Sequence, residues 1–188
     1  RLRALHVGPL RQVVPRVAGR AERDGDEPDL DRVRPGVVFY GVSPTLDPTM
    51  ATALGVRPAL SWTSEVVFFK VVRAHDPVSY GSTWSSDVDT RVITLPVGYG
   101  DGYPRSAPSG TPVLIGGVRA PIIGRVSMDL ITIDLRGHPD AMVGDAVLLW
   151  GPELPVEEVA SAAGTIGYEL VCGMTRRVDF VDDHALLA

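Results

Sequence analysis

A chain of 188 residues, 45% hydrophobic and 22% charged with a net charge of −5, is long enough to bury the core of one or two compact units. The mild negative charge and scattered arginines argue against a phosphate-tracking surface, so nucleic acid is not an expected partner and small-molecule chemistry is favoured. No apolar run approaches the ~18 residues that span a bilayer, and the arginine-rich start lacks the apolar middle of a secretory signal. A cytoplasmic location without membrane contact is expected. Cys172 is the single cysteine, which excludes an intrachain disulfide and a cysteine-based zinc or redox pair, and it reads as a small buried apolar residue. No metal site is expected. Lys70 is the only lysine, so any lysine chemistry falls there or is absent.

In chain order, residues 1–27 show no helical or strand period and end in the charged run RAERDGDE. Val37, Val38, Phe39 and Tyr40 form a short apolar run closed by glycine, the pattern of a buried strand. SPTLDPT reads as loop. Residues 58–72 predict one long strand, β-branched and aromatic throughout, with Lys70 near its end. HDPVSYGSTW is turn chemistry around Tyr80. Further strands are predicted over 91–97, 112–115, 120–123, 130–135 and 146–150, with a Gly116-Gly117 turn among them. VEEVASAAG predicts a helix, with Pro155 suiting its first turn, Glu157 and Glu158 at its positive end and Gly164 as its stop. Residues 168–171 predict a helical turn or a strand. Short strands with close turns point to a mainly β fold, a small barrel or sandwich with one or two short helices.

Three glycine-flanked signatures stand out between Val78 and Asp129: VSYGSTW, LPVGYGDGYPR and APIIGRVSMD. Each sets a tyrosine, arginine or carboxylate in a turn, where a fold presents polar groups for binding or catalysis. Tyr80 reads either as a partly buried tyrosine with a satisfied hydroxyl or as a functional phenol. A phenol's ordinary pKa of about 10 means that a tyrosine base needs a cation or strong donor beside it. In GYGDGYPR, Asp101 reads equally as a turn cap. Arg125 reads as the partner of a nearby carboxylate, and Arg34 as a surface arginine at a strand start. The four histidines lie singly, and no triad context surrounds them. Spacing alone leaves the function open.

Taken in order, RVRPGVVFYG, VSYGSTW, LPVGYGDGYPR, APIIGRVSMD and GTIGYELVCGMTRRV resemble the carboxy-terminal part of the alanine racemase family. The resemblance runs from about Arg32 to Val178. It implies the family's carboxy-terminal β domain over residues 57–188, and over 32–56 the last part of the pyridoxal-phosphate-binding (β/α)8 barrel. It implies interconversion of L- and D-alanine for peptidoglycan synthesis in a head-to-tail homodimer, with alanine as the substrate and pyridoxal 5'-phosphate as the cofactor. By the same resemblance Tyr80 is the base that one subunit inserts into its partner's barrel. Arg34 faces the pyridine nitrogen, and Gly36, Val37 and Tyr168 contact the cofactor phosphate. The backbone N–H of Met128 meets the substrate carboxylate, while Tyr99, Arg105, Arg125, Asp129 and Ile166 line the substrate access channel.

The sequence also departs from that pattern. The family's barrel segment carrying the cofactor lysine is not in this chain, and Lys70 lies in a strand where the family places no such lysine. GPLRQVVPRVAGRAERDGDE does not resemble the segment that the family has before RVRPG. Residues 1–31 are therefore expected to be unrelated to the family, disordered or the product of a misread frame, and the chain alone is expected to be inactive. Two other readings stand beside this one: a non-catalytic β interaction module, and a racemase of serine or another small amino acid.

Overall fold

The computed structural model describes residues 3–6, 36–44, 48–53, 55–138 and 140–182. The first strand, β1 (Arg3–His6), pairs with a later strand near residue 60, where no sequence period pointed to a strand. The remaining positions of the 1–31 segment, and Arg34, lie outside the described residues.

The apolar run at 36–40 is a 3-10 helix (Gly36–Tyr40), not the expected strand. Its burial explains the correction: Val37 and Val38 are buried in succession while Phe39 and Tyr40 are exposed, a helical rather than an alternating pattern. Four consecutive apolar residues carry no period that could have distinguished the two. A six-residue helix, α1 (Pro48–Ala53), follows and overlaps the end of the expected loop.

The long strand expected over 58–72 is two strands, β2 (Leu60–Glu65) and β3 (Phe68–Val72). They are separated because the chain changes partner. The Val66 N–H donates to Asp145 O at 3.0 Å, whereas the Val67 N–H donates to Thr94 O at 3.2 Å. Strand propensity runs unbroken through this point, since it encodes fitness for a pleated surface and not the identity of the neighbour. β4 (Thr90–Leu95), β5 (Pro112–Ile115), β6 (Val118–Ile123), β7 (Ile131–Asp134) and β8 (Ala146–Trp150) fall close to their predicted positions. Gly116 and Gly117, with φ of 57° and 78°, make the two-residue turn between β5 and β6 in the twist that a hairpin requires. Pro112 faces Pro121 at the open end of that hairpin.

Helix α2 (Val156–Ala163) starts after Pro155 and stops at Gly164, and α3 (Gly167–Gly173) packs on it, so residues 168–171 are helical. Cys172 on α3 is exposed, against the expectation that it is buried; a seven-residue helix has room to turn only part of its surface inward, and Gly167 and Leu170 take it. β9 (Asp179–Asp182) closes the described chain.

Among the described residues the nine strands form one sheet in the order β3-β4-β7-β6-β5-β8-β2-β1-β9, antiparallel throughout except for β1 beside β9. Only Val66 and Val67 separate β2 from β3, yet these strands stand seventh and first in the sheet. The sheet must therefore curl until those positions meet, and the curled β architecture matches the expected fold class. Its interior holds Trp62, Trp150 and Tyr103 in mutual contact, surrounded by Ile93, Leu95, Ile122, Ile131, Ile133 and Leu149. Burying each large side chain contributes roughly 2–3 kcal/mol at ~25 cal/mol per Å².

Candidate functional site

Residues after β3 form a loop pinched by the bridge between Val78 and Trp84, so the chain between them projects as a narrow tip. Tyr80 occupies the tip and is 74% exposed. Of the two readings of this residue, the partly buried tyrosine is corrected. Three residues of positive φ shape the tip, with 67° at Ser79, 77° at Gly81 and 51° at Ser82. It leans on a second loop through Ser79, whose hydroxyl bonds the backbone of Arg125. An open groove of about 390 Å³ runs beside it, bordered by Ser79, Tyr80, Arg125, Ser127 and Leu130. A second groove of about 290 Å³, containing Thr83, Arg105, Ser106 and Ser109, shares Arg125 with the first. No carboxylate lies within ion-pair distance of Arg125 among the described residues, so the simple pairing read from sequence is replaced by a guanidinium between two hollows.

The remaining signature residues meet at a junction of three segments. A turn is closed by Ser127, whose N–H and Oγ–H both donate to Leu130 O, which puts Met128 and Asp129 at its apex. The glycine-rich segment lies along this turn: the Tyr99 N–H donates to Ser127 O at 3.0 Å and the Gly100 N–H to Met128 O at 2.8 Å. Asp101 is 2% exposed, and its Oδ2 accepts the Gly98 N–H at 2.9 Å. The turn-cap reading of Asp101 is thus the one realised. The third segment brings Arg177, whose Nε lies 3.2 Å from Asp101 Oδ1 and whose Nη2 donates to Asp129 Oδ1 at 2.6 Å. The hydrogen bond to Asp129, then the charge of Asp101, hold the Arg177 guanidinium above its usual pKa. Thr175 adds an N–H bond to Asp101 O and a hydroxyl bond to Gly100 O. Tyr99 and Met128 face outward from the junction, and the Arg105 guanidinium stands 5.9 Å from the centre of the Tyr99 ring.

Gly36, Val37, Ile166 and Tyr168 form a separate group, carried by the 3-10 helix and the start of α3. A Cβ placed on Gly36 would lie 3.3 Å from the Tyr168 hydroxyl oxygen, so that hydroxyl stands directly over bare backbone. The buried carboxylate of Glu157 on α2 ties that helix to the segment after the 3-10 helix by accepting the Ser43 N–H at 2.5 Å. Ile166, just before α3, and Tyr168 are both exposed. Ser79 and Arg177 were not singled out in the sequence, and Glu157 was read there only as a first-turn acid of the helix. Their signal is long-range: the Ser79 and Arg177 contacts span 46 and 48 residues, and that of Glu157 spans 114. Among the described residues no group of three or more His, Cys, Asp or Glu is placed to hold a metal, and no helix is long and apolar enough to cross a membrane.

The family model described as "Alanine racemase, C-terminal domain" matches residues 59–181. Over 150 residues the chain is 52% identical to the alanine racemase of Vibrio cholerae, an overlap of 80% of this chain and 41% of that protein. It is 48% identical over 159 residues to the alanine racemase of Coxiella burnetii, covering 81% and 43%. Among solved structures it resembles the biosynthetic alanine racemase of Pseudomonas aeruginosa, with a TM-score of 0.76 and 47% identity over 79% of this chain and 41% of that one. The chain spans about two fifths of the length of these relatives. With motifs, curled sheet and these likenesses in agreement, the chain belongs to the alanine racemase family and carries its carboxy-terminal domain.

Proposed function

We propose that this chain supplies the carboxy-terminal part of a pyridoxal-phosphate-dependent alanine racemase that interconverts L- and D-alanine, the D-alanine serving peptidoglycan synthesis. Residues 57–188 are its β domain, 32–56 the end of its barrel, and 1–31 are unrelated to the family. The observation that carries the reading is Tyr80: a large phenol held 74% exposed on a kinked, hydrogen-bonded tip, where burial and sheet packing give no reason for it. In a head-to-tail homodimer that tip enters the partner's barrel.

The residues present fit the phosphate end of the cofactor. Bare backbone at Gly36 lies directly beneath the Tyr168 hydroxyl, where a Cβ would crowd it, and that O–H together with the backbone N–H groups of Gly36 and Val37 would hold an anionic phosphate oxygen. Arg34 is assigned to the pyridine nitrogen, where its guanidinium would offer a fixed fork of donors and a charge that disfavours a proton on that nitrogen. When bound, the cofactor makes the substrate Cα–H acidic. The phenol oxygen of Tyr80 then takes or returns the proton on one face of Cα, and a barrel lysine outside this chain serves the other. The backbone N–H of Met128 holds the alanine carboxylate. Arg105 and Arg125 give the groove a positive wall that draws carboxylates inward, and Tyr99, Asp129 and Ile166 narrow the way in.

On this reading the chain alone does not racemise, because one base and most of the cofactor site are elsewhere. The test mixes the purified chain with the barrel portion of a family relative and pyridoxal phosphate. Turnover is expected only in the mixture, and Tyr80→Phe there should abolish solvent deuterium uptake from one alanine enantiomer while sparing uptake from the other. Undiminished uptake from both after that change would remove Tyr80 from the chemistry.

A further inference from the structure

Ser79, the residue before Tyr80, has a φ of 67°. Residues with a side chain rarely adopt that conformation, and it persists only where the surroundings enforce it. The hydroxyl of Ser79 provides that enforcement. Its O–H donates to the carbonyl oxygen of Arg125 at 2.6 Å, and the Arg125 N–H donates back to Ser79 Oγ at 3.0 Å. One serine oxygen thus serves the donor and the acceptor of a single distant residue, which fixes direction as well as distance.

The contact also needs a yielding surface opposite. Gly124, at a φ of 70°, provides it, since a Cβ there would come within 2.5 Å of Ser79 Cβ. Beyond Tyr80, the Ser82 N–H turns back to Ser79 O at 3.2 Å, so the Tyr80–Gly81 tip hangs from Ser79 at both of its ends. Arg125 in turn leads within two residues into the turn at Ser127 that presents Met128.

We propose that Ser79 is a positioning residue, a two-way latch that sets the direction in which Tyr80 leaves the domain and ties it to the turn bearing Met128. The inference rests on the reading of Tyr80 as a base. Removing the hydroxyl leaves the phenol and the substrate-binding groups in place but lets the phenol wander, which lowers turnover more than it weakens substrate binding.

The first arm of the test uses the 188-residue chain itself. Ser79→Ala should speed hydrogen exchange at the Arg125 amide by ~10-fold or more and bring the Tyr80 backbone order parameter below about 0.6, with cooperative melting retained. Ser79→Gly relieves the unusual φ but has no hydroxyl, so it should behave in the same way; it carries the test if the alanine variant does not fold. Unchanged exchange and order in these variants overturn the latch.

The second arm uses the holoenzyme formed with a family barrel. There Ser79→Ala should lower kcat on the order of 10-fold with KM within about twofold, and Ser79→Cys, with a weaker donor of similar shape, should restore part of it. A rise in KM matching the fall in kcat, or full activity, overturns the positioning role. Tyr80→Phe in the same holoenzyme separates the two readings. If proton exchange survives on both faces, the proposed base is wrong, while the amide exchange of the chain still decides the latch.

Discussion

Tyr103 shows how much a single buried hydroxyl can govern. It is 1% exposed, sits about 6 Å from both Trp62 and Trp150, and its hydroxyl has no hydrogen-bond partner among the described residues. Burial pushes its pKa well above the ordinary phenol value. Because the folded pKa lies above the unfolded one, the contribution to stability is complete below about pH 10 and is lost as pH rises beyond it. Tyr103→Phe should therefore remove part of the alkaline sensitivity and, by deleting an unpaired polar atom, raise stability at neutral pH by about 1 kcal/mol. Urea unfolding at neutral pH and near pH 11 checks both, and parallel losses in the two proteins would count against the assignment. Asp101 offers a second residue-level test. Ala there removes both the Gly98 cap and the Arg177 pair and should destabilise by about 2 kcal/mol, whereas Asn keeps an acceptor for Gly98 and should lose about half as much. Equal losses would mean that the cap contributes nothing.

Among the elements, the hairpin of β5 and β6 and the clamp from α2 behave differently. The hairpin was legible from Gly116-Gly117 alone, because two adjacent residues of positive φ are a local requirement. Gly117→Val should cost about 1.5 kcal/mol while Gly116→Asn stays near neutral, as melting of the two variants would show. The clamp was not legible. Glu157 reads in sequence as a first-turn acid suited to the helix dipole, yet its carboxylate is buried and serves the Ser43 N–H far away. Glu157→Ala removes that acceptor and should cost about 1–2 kcal/mol, with faster amide exchange at Ser43; Glu157→Gln, which keeps an acceptor, should hold most of it. A slow Ser43 amide in the alanine variant would contradict the clamp.

At the level of the whole molecule, the curl of the sheet turns the interior into one unit around Trp62 and Trp150. Trp62→Ala should cost about 4 kcal/mol, a large share of the roughly 10 kcal/mol available to a domain of this size, and should melt the sheet cooperatively rather than locally. Retention of sharp strand signals by NMR after that change would show two independent halves instead. Turn residues, strand propensities, the α2 boundaries and the ordered motifs all depend on neighbours a few positions apart, and so the mainly β class, most strand positions and the family could be read along the chain. The break at Val66 and Val67 and the contacts of Ser79, Arg177 and Glu157 depend on partners that folding brings from tens of residues away. Local preference states what conformation a residue tolerates. Which distant group it meets is settled only when the sheet closes on itself and backbone polar groups that water can no longer reach must find one another.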